Sequence, residues 1–132
     1  MSEQNIEILR SAYAAFSAGD IDTMMEAFAD DAEWLYPEIE GVPYSGHQKG
    51  KDGIRKFFAG MAESEEVLEF ERKAFSADGD RVIAQGVYEA RVRSTDRVWR
   101  TDWVHVIHMR DDKIRRFAHY LDTAKAHAAH ND

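Results

Sequence analysis

The sequence predicts an α+β domain: three N-terminal helices packed on one face of a curved antiparallel sheet, a cone-shaped body enclosing a pocket. Three observations carry this. Apolar residues recur with a helical period as far as Met61, and after Glu66 the pattern changes to long runs separated by turn residues. Helices first and an antiparallel meander afterwards is the α+β order. The later runs also exceed the ~5–6 residues of an ordinary strand, a length that a strongly bent sheet accommodates.

The elements follow in order. Ile6, Leu9, Tyr13 and Phe16 form a helical stripe, and Gly19 stands where a left-handed helix end wants glycine. Asp20 is placed to cap a second, shorter helix whose inner face is Ile21, Met24, Met25 and Phe28. Asp30-Asp31 breaks that helix, and Trp34-Leu35-Tyr36 reads as a short strand ended by Pro37. Residues 38 to 50 hold Gly41, Pro43, Gly46 and Gly50 and read as a loop; Ile54, Phe57, Phe58 and Met61 then mark the third helix. Four strands follow, over Val67–Phe75, Arg81–Arg93, Arg97–Met109 and Lys113–Asp122. Gly86, in mid-strand, is a natural place for a bend. The tail from Ala124 reads as a weak helix or a frayed end, with His127 and His130 exposed to solvent.

Composition narrows the function classes. The 132 residues form one domain over 1–132, with 44% hydrophobic and 32% charged residues, as in soluble globular proteins. Seventeen Lys and Arg against 25 Asp and Glu leave a formal charge of −8. That argues against a nucleic-acid partner, which needs clustered cations, and against an anionic membrane surface. With no cysteine, disulfides, thiolate nucleophiles and Cys-ligated metals are excluded. Met1-Ser2-Glu3-Gln4-Asn5 lacks the basic and apolar regions of a signal peptide, so the expected location is cytoplasmic. No glycine-rich phosphate loop, His-Glu-x-x-His pair or Gly-x-Ser-x-Gly elbow is present, so neither cofactor nor metal is expected.

Three helices cover one face of such a sheet, and strand alternation says which residues meet the cavity between them. On the third long strand Trp99, Thr101, Trp103, His105 and Ile107 share a face; on the last, Phe117, His119 and Leu121 do. On the second, Ala84, Gly86, Tyr88 and Ala90 go together. Aromatic residues at this spacing are ordinarily core. Two inward histidines beside Tyr36, Tyr88, Trp34 and Trp103 are harder to explain by packing, because each buried imidazole or phenol needs a partner. A few polar groups inside an apolar cavity also describe a small-molecule site. No aspartate or glutamate is expected on the cavity face. Asp122 is expected to point away, capping the C-terminal segment or pairing with Arg100, and His47 sits in a loop that could fold over the mouth.

Several segments resemble the nuclear-transport-factor-2-like superfamily, and within it the SnoaL-like and ketosteroid-isomerase-like group. They are Phe16-Ser17-Ala18-Gly19-Asp20, Phe28-Ala29-Asp30-Asp31-Ala32-Glu33-Trp34, Gly46 to Phe58, and Asp111-Asp112-Lys113-Ile114 with Tyr120-Leu121-Asp122. The resemblance covers nearly the whole chain and implies the cystatin-like α+β barrel of that superfamily, a scaffold that hosts many chemistries. Where ketosteroid isomerases have an Asp base, this chain has Tyr36; where they have a protonated Asp donor, it has His105; their oxyanion Tyr falls near Ala12. The Asp–Arg–Asp set of limonene-epoxide-hydrolase-like members is replaced by Tyr88, Gly86 and His119. SnoaL-type cyclases use acid/base Asp or His residues near the same strands, with which His105 and His119 are compatible.

The resulting expectation is a cofactor-independent acid/base enzyme, an isomerase, cyclase or relative, acting on a hydrophobic carbonyl compound of polyketide, steroid-like or terpenoid kind. His105 or His119 would move the proton, and Tyr36 and Tyr88 would hydrogen-bond the enolate oxygen. Tyr13, Phe16, Trp34, Phe57, Met61, Trp103 and Phe117 would shape the cavity. The rival expectations are a non-catalytic module binding an apolar ligand, and an assembly module. The family's homodimer would form through the outer sheet face, with Val82, Val87, Val92, Val104 and Val106 beside Arg91, Arg93 and Arg100.

Overall fold

The structure, a computed structural model, describes residues 2–131. Its elements are helix α1 (Ser2–Ser17), α2 (Ile21–Met25), strand β1 (Phe28–Leu35), β2 (Gln48–Lys49), α3 (Gly50–Ser64), β3 (Glu65–Asp78), β4 (Arg81–Val92), β5 (Val98–Arg110), β6 (Lys113–Leu121) and α4 (Thr123–His130). One six-stranded sheet runs in the order β2-β1-β6-β5-β4-β3. This is the expected α+β architecture, as an open curved sheet with edges at β2 and β3 rather than a closed barrel. The β3-to-β6 meander is antiparallel, while β1 lies parallel to β6. Among the described residues no helix is long and apolar enough to cross a membrane.

Local chemistry explains the helix ends. Gly19 has φ +77°, and the Asp20 side chain accepts from the Thr23 amide at 3.1 Å to start α2. The second helix stops at Met25, and Asp30-Asp31 lies within β1 rather than after a helix. The physical reason is a register shift between Phe28 and Glu33, which turns both acids to solvent, near Lys51 and Arg115. Phe28, Ala32 and Trp34 still turn inward.

Alternation on the long strands is as expected. Trp99, Thr101, Trp103, His105 and Ile107 are all buried, and the residues between them are half-buried or exposed. Gly86 pairs with Trp103 and lets the indole lie against the backbone: a β-carbon there would come within 2.8 Å of Trp103 Cε2. The ladder irregularity falls on the partner strand, between Arg72 and Ala74.

Three expectations are corrected. The tail takes the helical of its two expected forms, as α4, and of its histidines His127 is exposed as expected whereas His130 is buried beside Ala126 and Ala129. Asp122 caps α4, accepting from the Lys125 amide, and Arg97 and Thr95 donate to the carbonyls of Ala128, Ala129 and Asn131 at its far end. Arg100 pairs with Glu69 and Glu89, not with Asp122. On the outer face, Val82 and Val92 do not contribute: they pair with Ile107 and Glu65 in the inward-facing rows and are fully buried.

Candidate active site

Between helices and sheet lies a cavity of about 110 Å³, walled almost entirely by apolar and aromatic side chains. Every residue expected to shape it does line it: Tyr13 and Phe16 from α1, Trp34 from β1, Phe57 and Met61 from α3, Trp103 from β5 and Phe117 from β6. The four proposed proton-handling residues, His105, His119, Tyr36 and Tyr88, line it as well. They fall into two groups that meet where the Tyr36 ring lies 5.1 Å from that of His119.

At one end His105 and His119, cross-strand partners on β5 and β6, stand edge to face with ring centroids 4.7 Å apart. Tyr13 Oη lies 2.7 Å from His105 Nδ1. Trp103 stacks on His105 at 4.1 Å, and Trp34 lies 4.3 Å from His119. Burial drives both imidazoles to the neutral form: the His105 pKa falls to about 3, and that of His119 falls well below its ordinary value, helped by the neighbouring His105. Burial also raises the Tyr13 phenol, offset in part by the Arg72 guanidinium. The end therefore holds an uncharged phenol and two uncharged imidazoles at neutral pH. His119 Nε2 is buried without a hydrogen-bond partner.

Behind the phenols at the other end, outside the cavity's lining, lies a buried carboxylate that the sequence reading did not pick out. Glu65, the first residue of β3, is fully buried. Its Oε1 accepts from Tyr88 Oη at 2.7 Å, and its Oε2 accepts from Tyr44 Oη through a very short bond. The ring of Tyr36 packs against that of Tyr44, with centroids 5.8 Å apart. His130 of α4 brings Nε2 to 2.9 Å from Glu65 Oε2, an ionic contact whose N–H direction misses the oxygen. Its Nδ1 faces the Ala126 carbonyl at 3.0 Å and must donate there, so Nε2 meets the carboxylate as a cation only when His130 is doubly protonated. Burial raises all three phenols, and the Glu65 charge raises them further.

This changes what Tyr88 can do. A phenol has one proton, and that of Tyr88 is committed to Glu65. Glu65, Tyr44 and His130 were not singled out from sequence. Glu65 sits in the acidic run Glu63-Ser64-Glu65-Glu66, and only its pairing with Val92 shows which acid turns inward. The available signal for His130 was its i, i+4 and i, i+1 grouping with Ala126 and Ala129 after a capping Asp122. His47, read from sequence as an exposed loop residue that could fold over the mouth, is exposed and borders a groove on the outer sheet face with Val106, His108, Ala118 and Tyr120. Among the described residues no group of three or more His, Asp or Glu side chains is disposed to hold a metal ion.

Comparison with known proteins places this geometry. An NTF2-like protein from Burkholderia xenovorans LB400 superposes with a TM-score of 0.88 at 30% identity, over 99% of this chain and 98% of that one. An NTF2-like protein from Burkholderia thailandensis E264 gives 0.87 at 29% identity, over 97% and 98%. TerC, co-crystallized with polyporic acid, gives 0.83 at 28% identity, over 96% and 97%. Among curated proteins none matches. The family model described as SnoaL-like domain matches residues 9–117, from α1 to the inward Phe117 of β6. The chain therefore belongs to the SnoaL-like family of the NTF2-like fold.

Proposed function

We propose that this protein is a cofactor-independent acid/base enzyme, an isomerase or cyclase, acting on a compact hydrophobic carbonyl compound. The observation that carries the reading is the Tyr13–His105–His119 group, uncharged and buried in an apolar cavity. A neutral imidazole has one lone pair and one N–H, so it can take a proton at one position and return it at another. Burial makes the imidazolium costly, by about 5 kcal/mol for His105 from its lowered pKa. A proton taken is readily returned, and the substrate must carry an acidified C–H, as in a β-dicarbonyl or enone. An engineered cavity of about 150 Å³ holds one benzene, so a volume of about 110 Å³ sets a single small ring as the upper bound and leaves no room for a steroid. TerC, with its polyporic acid, supports small-molecule occupancy of this scaffold.

The test is deuterium uptake in D₂O by 2,4-pentanedione, ethyl acetoacetate and cyclohexenone, with the native protein and the His105→Ala/His119→Ala double variant. Loss of about 10²-fold or more in rate with the fold retained is expected. Equal rates for both proteins refute histidine catalysis.

A non-catalytic binding module is the second reading, favoured by the low basicity of His105. Ligand-dependent tryptophan quenching without exchange would establish it. A homodimer through the outer face remains part of the proposal, with Val104, Val106, Ala118 and the 58% exposed Tyr120 as its apolar area. Sedimentation of a monomer at micromolar concentration would remove it.

A further inference from the structure

The Glu65 end of the cavity has a hydrogen-bond polarity opposite to the one expected of an oxyanion site. Glu65 is ringed by Tyr44 and Tyr88, each giving its single proton to a different carboxylate oxygen. Both phenol protons thus run to Glu65. The rings of Tyr44 and Tyr88 line the cavity. A ligand group that reaches the hydroxyls of Tyr44 and Tyr88 finds only oxygen lone pairs.

From this we infer that the Tyr44–Tyr88 pair is an accepting subsite, which Glu65 orients and which recognises a hydroxyl donor, a phenolic or enolic O–H, on a ligand of single-ring size. The inference rests on the cavity being a ligand site, as proposed above. It makes Glu65 a positioning residue that acts through the phenols. A carbonyl oxygen at this end would face lone pairs, so a hydroxylated carbonyl compound binds with its hydroxyl toward Glu65 and its carbonyl toward Tyr13 and His105. His130 of α4 stands behind the carboxylate, its Nε2 2.9 Å from Glu65 Oε2.

Phenol, toluene and benzaldehyde are probes of nearly one shape that offer a donor, nothing, and an acceptor. Calorimetric titration of each into the full chain is expected to show phenol bound about tenfold or more tighter than toluene, with benzaldehyde no better than toluene. In Glu65→Gln the amide NH₂ donates to one phenol, whose proton then turns outward. The phenol preference should fall to within about twofold of toluene, and benzaldehyde should gain. Tyr88→Phe keeps Glu65 with Tyr44 and should lose part of the preference, so the test stands even if Glu65→Gln folds poorly. Phenol and toluene bound within twofold by the native protein would overturn the inference while leaving the cavity a ligand site. A tenfold preference surviving in Glu65→Gln or in Tyr88→Phe would overturn it too. Failure of all three probes at millimolar concentration would overturn both the inference and the ligand-pocket reading beneath it.

Discussion

Replacing Gly86 by alanine tests how the sheet makes room for its central aromatic. Gly86 lies on the inward row of β4, opposite Trp103 of β5 and Arg72 of β3. A β-carbon there would stand 2.8 Å from Trp103 Cε2, and closer still to Trp103 Cζ2 and to the Glu71 carbonyl oxygen. Neither neighbour yields cheaply. The Glu71 carbonyl belongs to the backbone of the β3–β4 ladder, and Trp103 is stacked on Phe70 at 5.2 Å and on His105 at 4.1 Å. Overpacking costs ~1–3 kcal/mol, and with a backbone atom in the way the upper end, about 3 kcal/mol, is expected. At roughly 3–5 °C per kcal/mol for a chain of this size, Tm should fall by about 10 °C. Calorimetry or far-UV circular dichroism measures it, and a double-mutant cycle with Trp103→Phe separates the two neighbours. A Gly86→Ala protein within ~0.5 kcal/mol of native would refute the reasoning, since the row would then have slack the packing denies.

Three further outcomes follow from the geometry. Below the unfolded histidine pKa of ~6.5 the unfolded chain binds protons that buried His105 refuses until about pH 3, so stability should fall by about 1.4 kcal/mol per pH unit across that window for this residue. His119, shifted the same way, steepens the fall; urea denaturation at pH 7.5 and 5 should show a smaller difference in His105→Gln, and an unchanged one would mean the imidazole is not desolvated. Asp122→Ala removes the cap of α4 and should cost about 1 kcal/mol, read as faster amide exchange in residues 123–130 before the rest of the chain. His130→Ala empties the buried space against Glu65 Oε2 and should cost about 3 kcal/mol; a loss under 1 kcal/mol would show that the contact carries no weight.

Much of the architecture is written in local patterns. The stripe Leu9–Tyr13 of α1, the Asp20 cap after Gly19, and the face shared by Trp99, Thr101, Trp103, His105 and Ile107 follow from periods of 3.6 and 2, which depend on neighbours in the chain alone. So does the placement of His105 and His119 on one face of adjacent strands, and with it half of the candidate site. Other features needed distant partners. Asp30 and Asp31 read as a helix break because their strand forms by pairing with segments distant in sequence, β2 on one side and β6, parallel and across a bulge, on the other. The outer-face reading of the valines at 82 and 92, by contrast, already conflicts with alternation, since they share the parity of Ala84 and Ala90, and the ladder sets them inward opposite Ile107 and Glu65. Glu65 is one acid in a charged run, and burial of such a group is tolerated only where partners converge: here Tyr44 from a loop, Tyr88 from β4 and His130 from the last helix. Those residues lie 21, 23 and 65 positions away, so no local period registers them, and the second polar end of the cavity comes into being only when the chain closes on itself.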